Sequence, residues 1–316
     1  LTLSAIIDPD IRKAHTLPSA FYTDPEKFEH IMEGFSMNWH FAAHESQLSG
    51  KSAIELRHLE SLLGESMILV SGDEIRCISN VCTHRGMLLV DGSCSRSTLQ
   101  CPYHGRTFGL DGTMKSMPEF DLTVDFPTAQ DNLRTFPSIS WKGLIFTGLE
   151  PSGLKACLKE MEARIGWMPI EKFEYDHSRN RYYEIRANWA LYVDNYLEGF
   201  HIPFVHKDLN NVLDYDDYRT EIFDGGVLQI GIASDGEAIF EIPEDSPDFG
   251  LKVAAYYYWI YPGLMLNFYP WGLSVNLVLP LSVDRTRIEY YGFVWDKKFL
   301  GKGAGGDLDK VEEEDQ

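Results

Sequence analysis

Two textures alternate along the chain. Between Leu17 and Met37 apolar residues recur at helical spacing, at Phe28, Ile31, Met32 and Phe35, and Asp24-Pro25 opens a turn. A helical segment is expected there. From Trp39 to about Gly148 the pattern becomes short β-rich runs: Ser66–Val70, Arg76–Ser79, Thr98–Cys101 and Gly143–Thr147. Turns such as Ser71-Gly72-Asp73, Asp91-Gly92 and Asp111-Gly112 separate them, which predicts a small all-β unit. Glu150-Pro151-Ser152-Gly153 reads as a boundary. Beyond it, helices are expected at Leu154–Arg164 and at Asn188–His201, the latter with Asn188 as N-cap. Strands are expected at Val227–Ala233, Ala238–Ile242, Val253–Tyr261, Leu264–Tyr269, Ser274–Leu279 and Arg287–Trp295. The expected fold class is therefore α+β, a small all-β domain followed by helices on an antiparallel sheet. The divisions are 1–38, a helical segment packing on the last domain, then 39–150 and 151–316. Gly301 to Gly306 reads as a flexible stretch before an acidic helix beginning at Asp307.

Composition changes this picture little. With 316 residues, 44% of them hydrophobic and 24% charged, the chain can bury a sizeable core. Aromatics at 13% suit either an apolar pocket or a β-rich core. A net charge of −20 disfavours phosphate backbones and anionic lipid, so neither nucleic acid nor membrane is an expected partner. The long apolar stretch from Ala254 to Leu281 is broken by Pro262, Pro270 and Pro280, so it reads as strands rather than a spanning helix. Leu1 to Asp10 shows no basic stretch followed by an apolar run, and no signal peptide is expected. Five cysteines, an odd number, do not suggest a disulfide framework. A reducing cytoplasm fits better, with some of the thiols serving a metal.

The chemistry concentrates in two places. In the first, Cys82-Thr-His84 is followed after sixteen residues by Cys101-Pro-Tyr-His104. Two thiols and two imidazoles can supply four protein ligands. Zinc sites usually pair cysteines with cysteines and histidines with histidines. Here each loop brings one of each, as a [2Fe–2S] cluster with two thiolates on one iron and two imidazoles on the other requires. Gly86, Gly105, Gly109 and Gly112 leave room for loops to fold back. Cys77, Cys94 and Cys157 lack such partners and are expected to be buried or incidental thiols.

In the second place, Asp194, Glu198 and His201 fall at i, i+4 and i+7 if the helix persists through His201, and so share a face. His206 falls off that face, but Pro203 is expected to stop or kink the helix and let His206 turn back. Two histidines near a helix end is the plain reading. With the first motif upstream, the pair reads instead as two legs of a 2-His-1-carboxylate site for Fe(II).

These residues resemble the α subunits of Rieske non-haem iron oxygenases, along essentially the whole chain. Cys-X-His followed by Cys-Pro-Tyr-His-Gly is similar to the motif of the ring-hydroxylating branch, as are Trp39-His40 and the N-terminal Leu-Pro-Ser-Ala-Phe-Tyr-Thr-Asp-Pro. Arg106 stands where Trp is common, and is read as a tolerated variation. The resemblance implies that Cys82, His84, Cys101 and His104 hold a [2Fe–2S] cluster. It implies that His201 and His206 hold Fe(II), with a third carboxylate ligand on a late helix. The matching pair is Glu314-Asp315, which makes Asp315 the expected ligand, although an acidic run of this kind is usually a solvated face. Glu198 corresponds to the acid that carries electrons from a cluster histidine of the next subunit, His104 being favoured over His84. Asp194 and Asn195 are the expected supporting residues around the iron. The resemblance further implies O2 as co-substrate, electrons from NAD(P)H through a separate reductase or ferredoxin, and a head-to-tail homotrimer. Glu rather than Asp at the bridging position resembles enzymes of choline, betaine or carnitine. The aromatics from Tyr256 to Trp271 suit a cation–π cage for a quaternary ammonium substrate, with Tyr258, Phe268 and Trp271 as its expected walls. They would equally fill a core, or receive an aromatic substrate for cis-dihydroxylation. A simple Rieske electron carrier is the remote alternative.

Overall fold

The structure, a computed structural model, describes residues 7–8 and 10–315, without the side chains of Tyr215 and Asp315. Two short helices, Ser19–Thr23 and Pro25–Ser36, replace the single helical segment expected at the N-terminus. Asp24 separates them because its carboxylate caps the second helix, accepting from the Glu26 N–H (3.0 Å).

The following part is all-β apart from two short 3-10 helices, Glu45–Leu48 and Ala129–Asp131, and one α-helix, Arg57–Leu63, which the pattern of the sequence did not predict. A five-stranded sheet runs in the order Ser93–Cys94, Ala53–Glu55, Met67–Ser71, Ile75–Ser79, Thr135–Phe136. A three-stranded sheet of Thr98–Gln100, Thr107–Gly109 and Met114–Ser116 faces it across a small core. Ile68, Val70, Ile78, Leu99 and Phe108 make that core, together with the buried Cys82 and Cys101. A further sheet, with Leu144–Thr147 between His40–His44 and Ser138–Trp141, packs into the larger core of the second half.

The second half is built on a seven-stranded antiparallel sheet in the order Glu174–Ile185, Arg285–Val294, Gly272–Ser282, Leu264–Tyr269, Val253–Ile260, Gly226–Ile232, Arg219–Phe223. The apolar stretch from Ala254 to Leu281 is thus three central strands. No helix among the described residues is long and apolar enough to cross a membrane. Ala238–Ile242, expected as a strand, is irregular, and the twelve-residue edge strand Glu174–Ile185 went unpredicted because polar and charged residues dominate it. The glycine stretch before the last helix is packed at Ala304 and Gly305, while Gly301 stands in the open. A Cβ on Gly305 would lie 2.4 Å from Trp271 Nε1 and 2.7 Å from Tyr269, so only glycine fits between these rings.

The sheet separates two environments by strand alternation. Tyr256 pairs with Phe268 and Tyr258 with Leu266, and all four are completely buried in the main core. Gln229, Tyr257, Asn267 and Ser274 sit directly opposite one another across four adjacent strands, one residue out of phase with that core row. Side chains alternate between faces, so this second row points the other way. It forms the floor of the functional site.

Candidate metal centres and substrate cavity

The two Cys-His loops have the same local construction. In the first, the Cys82 N–H donates to the Met87 carbonyl (2.9 Å) and the Gly86 N–H returns to the Cys82 carbonyl (3.0 Å). In the second, the Cys101 N–H donates to the Arg106 carbonyl (2.8 Å) and the Gly105 N–H to the Cys101 carbonyl (3.0 Å). Both glycines adopt left-handed backbone, φ +71° and +74°, which closes each loop in six residues. Buried Asn80 braces the base of the first loop, exchanging hydrogen bonds of 2.9 Å with the Val90 N–H and carbonyl.

The loops bring the four candidate ligands together. The rings of His84 and His104 lie 4.9 Å apart, and the two thiols are buried close to one another. Burial pushes the Cys82 thiol up, the adjacent Cys101 adds to this, and the Arg106 charge opposes it. Burial and the neighbouring His104 push His84 down, which favours the neutral imidazole a metal ligand must be. His104 Nδ1 is buried with no hydrogen-bond partner. A buried orphan imidazole nitrogen is costly in isolation, and it is accounted for if it ligates iron. The donor set of two thiols and two imidazoles, with this orphan nitrogen, fits a [2Fe–2S] cluster.

Arg106, which stands where Trp is common, is tied into the structure. Its buried guanidinium donates to Thr83 Oγ1 (2.7 Å) and Asp131 Oδ1 (2.6 Å), and it lies 5.3 Å from the centre of the Phe126 ring.

At the second site the helix Trp189–Leu197 begins at Asn188, whose side chain accepts from the Ala190 N–H (3.0 Å). It ends earlier than expected, because Glu198 is already extended (φ −123°, ψ 148°). Asp194, Glu198 and His201 therefore do not share one helix face. Pro203 does not stop the helix; it sits in the first turn of a separate short helix, Ile202–Val205, where a missing N–H costs nothing. That single turn carries His206 back to His201, and the two rings meet edge-to-face at 5.0 Å.

Each of these imidazoles is held by a carboxylate. His201 Nδ1 donates to Glu198 Oε1 (2.6 Å), and His206 Nδ1 donates to Glu314 Oε2 (2.9 Å). With Nδ1 engaged, metal ligation falls to Nε2 on both rings, the arrangement by which carboxylates orient ligating histidines. Glu314 lies on the last helix, Leu308–Asp315, so this helix docks beside the histidine pair. Asp315 ends it, and the Asp315 side chain lies outside the described residues. Among the described residues no three His, Cys, Asp or Glu side chains surround one ion position. A cluster iron would take only two protein ligands, and the histidine pair offers two imidazoles, so both donor sets remain compatible with their metals.

The histidines open on a cavity of about 110 Å³. This is several times the roughly 10–15 Å³ that a single water needs, and suits a small organic molecule. Its floor is the out-of-phase row of the sheet. Tyr196 donates to Asn267 Oδ1 (2.7 Å), Gln229 donates to the Tyr196 carbonyl (2.6 Å), and Asn267 donates to Asn276 Oδ1 (3.1 Å). Asn195 lines this cavity. Asp194 does not; it is exposed and accepts from the Tyr22 hydroxyl (2.6 Å), tying the helix to the N-terminal segment.

The three aromatics expected to wall the substrate lie elsewhere. Tyr258 and Phe268 face the opposite side of the sheet. Trp271 is buried against Tyr269, its indole N–H donating to the Gly305 carbonyl (3.1 Å). The rings that line the cavity are Tyr192, Tyr196, Tyr218, Tyr257, Tyr269 and Tyr290. A residue that sequence reasoning missed sits among them. Glu312, 6% exposed, takes the Tyr192 hydroxyl at 3.1 Å from each carboxylate oxygen. It stands one turn from the half-buried Leu308 and beside Val311 on the inward side of the last helix, but neighbouring acids mask it in the sequence. The remaining cysteines carry no such constellation. Burial pushes the Cys77 and Cys157 thiols up to about 11, which keeps them protonated and inert.

Known proteins share these two domains. Residues 38–137 match the Rieske [2Fe-2S] domain, and residues 173–313 match the ring hydroxylating alpha subunit catalytic domain. The chloroplastic choline monooxygenase of Beta vulgaris is 28% identical over 98% of this chain and 70% of its own length. The carnitine monooxygenase oxygenase subunit of Escherichia coli K12 is 28% identical over 92% of this chain and 77% of its own. Among solved structures, the quaternary ammonium Rieske monooxygenase CntA in complex with gamma-butyrobetaine superposes with a TM-score of 0.70 at 25% identity, covering 90% of this chain and 76% of that one. Naphthalene 1,2-dioxygenase from Rhodococcus sp. shares the fold, with a TM-score of 0.72 at 21% identity over 95% of this chain and 80% of its own. An all-β domain presenting a Cys₂His₂ loop pair, joined to a helix-on-sheet domain with two carboxylate-held histidines, defines a Rieske oxygenase. The chain belongs to the family of Rieske non-haem iron oxygenase α subunits, and is an oxidoreductase.

Proposed function

We propose that this oxygenase mono-oxygenates or demethylates a small quaternary ammonium compound, using O2 and electrons from a separate reductase or ferredoxin. The observation that carries this reading is the charge of the cavity. Glu198 and Glu312 line it with six tyrosines, and among the described residues that line it there is no Lys or Arg. A buried carboxylate attracts a cation strongly where water cannot screen it, and tyrosine faces add cation–π attraction. A neutral aromatic ring would gain nothing from Glu312. The names of the choline and carnitine monooxygenase relatives agree with this preference.

With both centres bound, the cluster supplies single electrons and the mononuclear iron supplies activation of O2 beside the substrate. The side chains do the rest. His201 and His206 are the iron ligands, with Asp315 as the third. Glu198 and Glu314 keep the Nδ1 protons in place and so fix both ring orientations. Leu209, Leu213 and Ile202 close the cavity against water. Glu198, whose side chain is 31% exposed, is the bridge to a cluster histidine of a neighbouring subunit, with His104 favoured, in a head-to-tail homotrimer.

The substrate class is tested by thermal unfolding with choline, carnitine and 3,3-dimethylbutanol, a neutral analogue of choline. Ligand at about 100 times its Kd stabilises by about 2.7 kcal/mol. The expected result is a rise in Tm with a trimethylammonium compound and none with the neutral analogue. Equal shifts with both, or a shift only with naphthalene-like aromatics, would favour a ring dioxygenase.

A further inference from the structure

Arg106 belongs neither to the ligand set nor to the cavity, yet it is a charged side chain only 5% exposed. Buried charges are retained where they are paired and hydrogen-bonded. Arg106 meets this at its two terminal nitrogens, in a particular place, while its buried Nε has no hydrogen-bond partner. Its backbone carbonyl receives the Cys101 N–H, so it belongs to the second ligand loop. One guanidinium nitrogen donates to Thr83 Oγ1, the residue between Cys82 and His84 in the first loop. Another donates to Asp131 Oδ1, and the Thr83 hydroxyl in turn donates to the Asp131 carbonyl (2.7 Å). Asp131 is itself fixed by the Thr128 N–H (2.8 Å) and hydroxyl (3.0 Å).

We propose that Arg106 is a positioning and potential-setting residue for the [2Fe–2S] cluster: it clasps the two ligand loops together through Thr83 and Asp131, and its fixed charge favours the reduced cluster. Reduction adds one electron and breaks no bond, so the cluster becomes more negative by one charge. A cation held nearby stabilises that state more than the oxidised one and raises the midpoint potential; an anion lowers it. Arg106 carries its charge between the two ligand loops, with Asp131 as its partial counter-charge. The Thr128 N–H and the Arg106 guanidinium hold the Asp131 carboxyl below the usual carboxylate range, so the pair is charged at neutral pH.

The test uses the full-length holoprotein and reads the cluster, not turnover. Midpoint potentials come from EPR-monitored redox titration, and cluster retention from iron release to a chelator. R106Q removes the charge but keeps a donor for Thr83. It is expected to lower the reduced-to-oxidised ratio at the wild-type midpoint about tenfold, equal to 59 mV for one electron. R106K keeps the charge and loses the fork. It is expected to hold the potential within twofold of wild type while releasing iron several-fold faster. D131N removes the opposing charge while keeping the backbone carbonyl that accepts from Thr83, and is expected to raise the ratio. This variant decides the matter should R106Q fail to load a cluster. An R106Q potential equal to wild type, or a D131N potential that is unchanged or lower, would overturn the electrostatic role. Iron release from R106K and T83A at the wild-type rate would overturn the clasp.

Discussion

His206 donates through Nδ1 to Glu314, a residue 108 positions later in the chain, at 2.9 Å. This bond joins the single-turn helix that returns His206 to the site with the helix that ends the described chain. It also engages Nδ1, which leaves ligation of the proposed iron to Nε2. Replacing Glu314 with Ala should free the ring and lower iron affinity roughly 10–100-fold, as is typical when the carboxylate behind a ligating histidine is lost. Metal titration of the apoprotein measures this. The Rieske EPR signal should be unchanged, because Glu314 does not touch the cluster loops.

Glu198 has two tasks that a conservative change separates. Glu198→Gln keeps an acceptor for His201 Nδ1 and so should leave iron content intact. As the proposed electron bridge, it should slow oxidation of the reduced cluster by about tenfold or more in single turnover. Full iron loading with an unaltered rate would remove Glu198 from the electron path.

Glu312→Gln tests the charge of the cavity at nearly constant volume. The Kd for a trimethylammonium ligand should rise about tenfold, close to 1.4 kcal/mol. Binding calorimetry reads this, and an unchanged Kd would mean that the tyrosines alone hold the cation.

Gly305→Ala tests packing. A methyl group must push apart Trp271 and Tyr269, which lie at the foot of the last helix. Overpacking of this kind costs about 1–3 kcal/mol. A fall in Tm is expected, with loss of mononuclear iron preceding loss of the cluster.

Acid sensitivity has an identifiable source in His40. It is buried on the strand His40–His44, with Nε2–H donating to the Phe35 carbonyl (2.9 Å). Burial pushes it down from 6.5 to about 4. The unfolded chain therefore binds a proton that the folded chain refuses. The stability so contributed is fully present above pH 6.5 and is lost as pH falls from 6.5 to about 4. His44 and His58 are lowered by burial as well and act in the same sense. His40→Gln should flatten the dependence of Tm on pH within this window.

Much of this was legible in the sequence, for physical reasons. The Cys-His loops were readable because ligand type and spacing are covalent facts, and each loop closes locally around one glycine. That His201 and His206 come together was readable from their close spacing. The course of the chain between them was not. Pro203 suits either the end of a helix or the start of one, and the extended Glu198 decides for a start. The substrate walls failed on parity. Tyr256 to Tyr261 is aromatic at nearly every position, so alternation gave no sign of which face meets the cavity. The polar residues in phase with Tyr257, namely Gln229, Asn267 and Ser274, reveal the face only once strand register is known. Glu312 was hidden among neighbouring acids, and Arg106 could not be understood without Thr83 and Asp131 beside it.

The most direct measurement is iron per chain together with EPR of the dithionite-reduced protein. An oxygenase with both centres gives about three irons, two in a cluster with a low-g Rieske signal and one mononuclear. About two irons per chain with the Rieske signal alone would leave an electron carrier, and zinc in place of iron would contradict both centres.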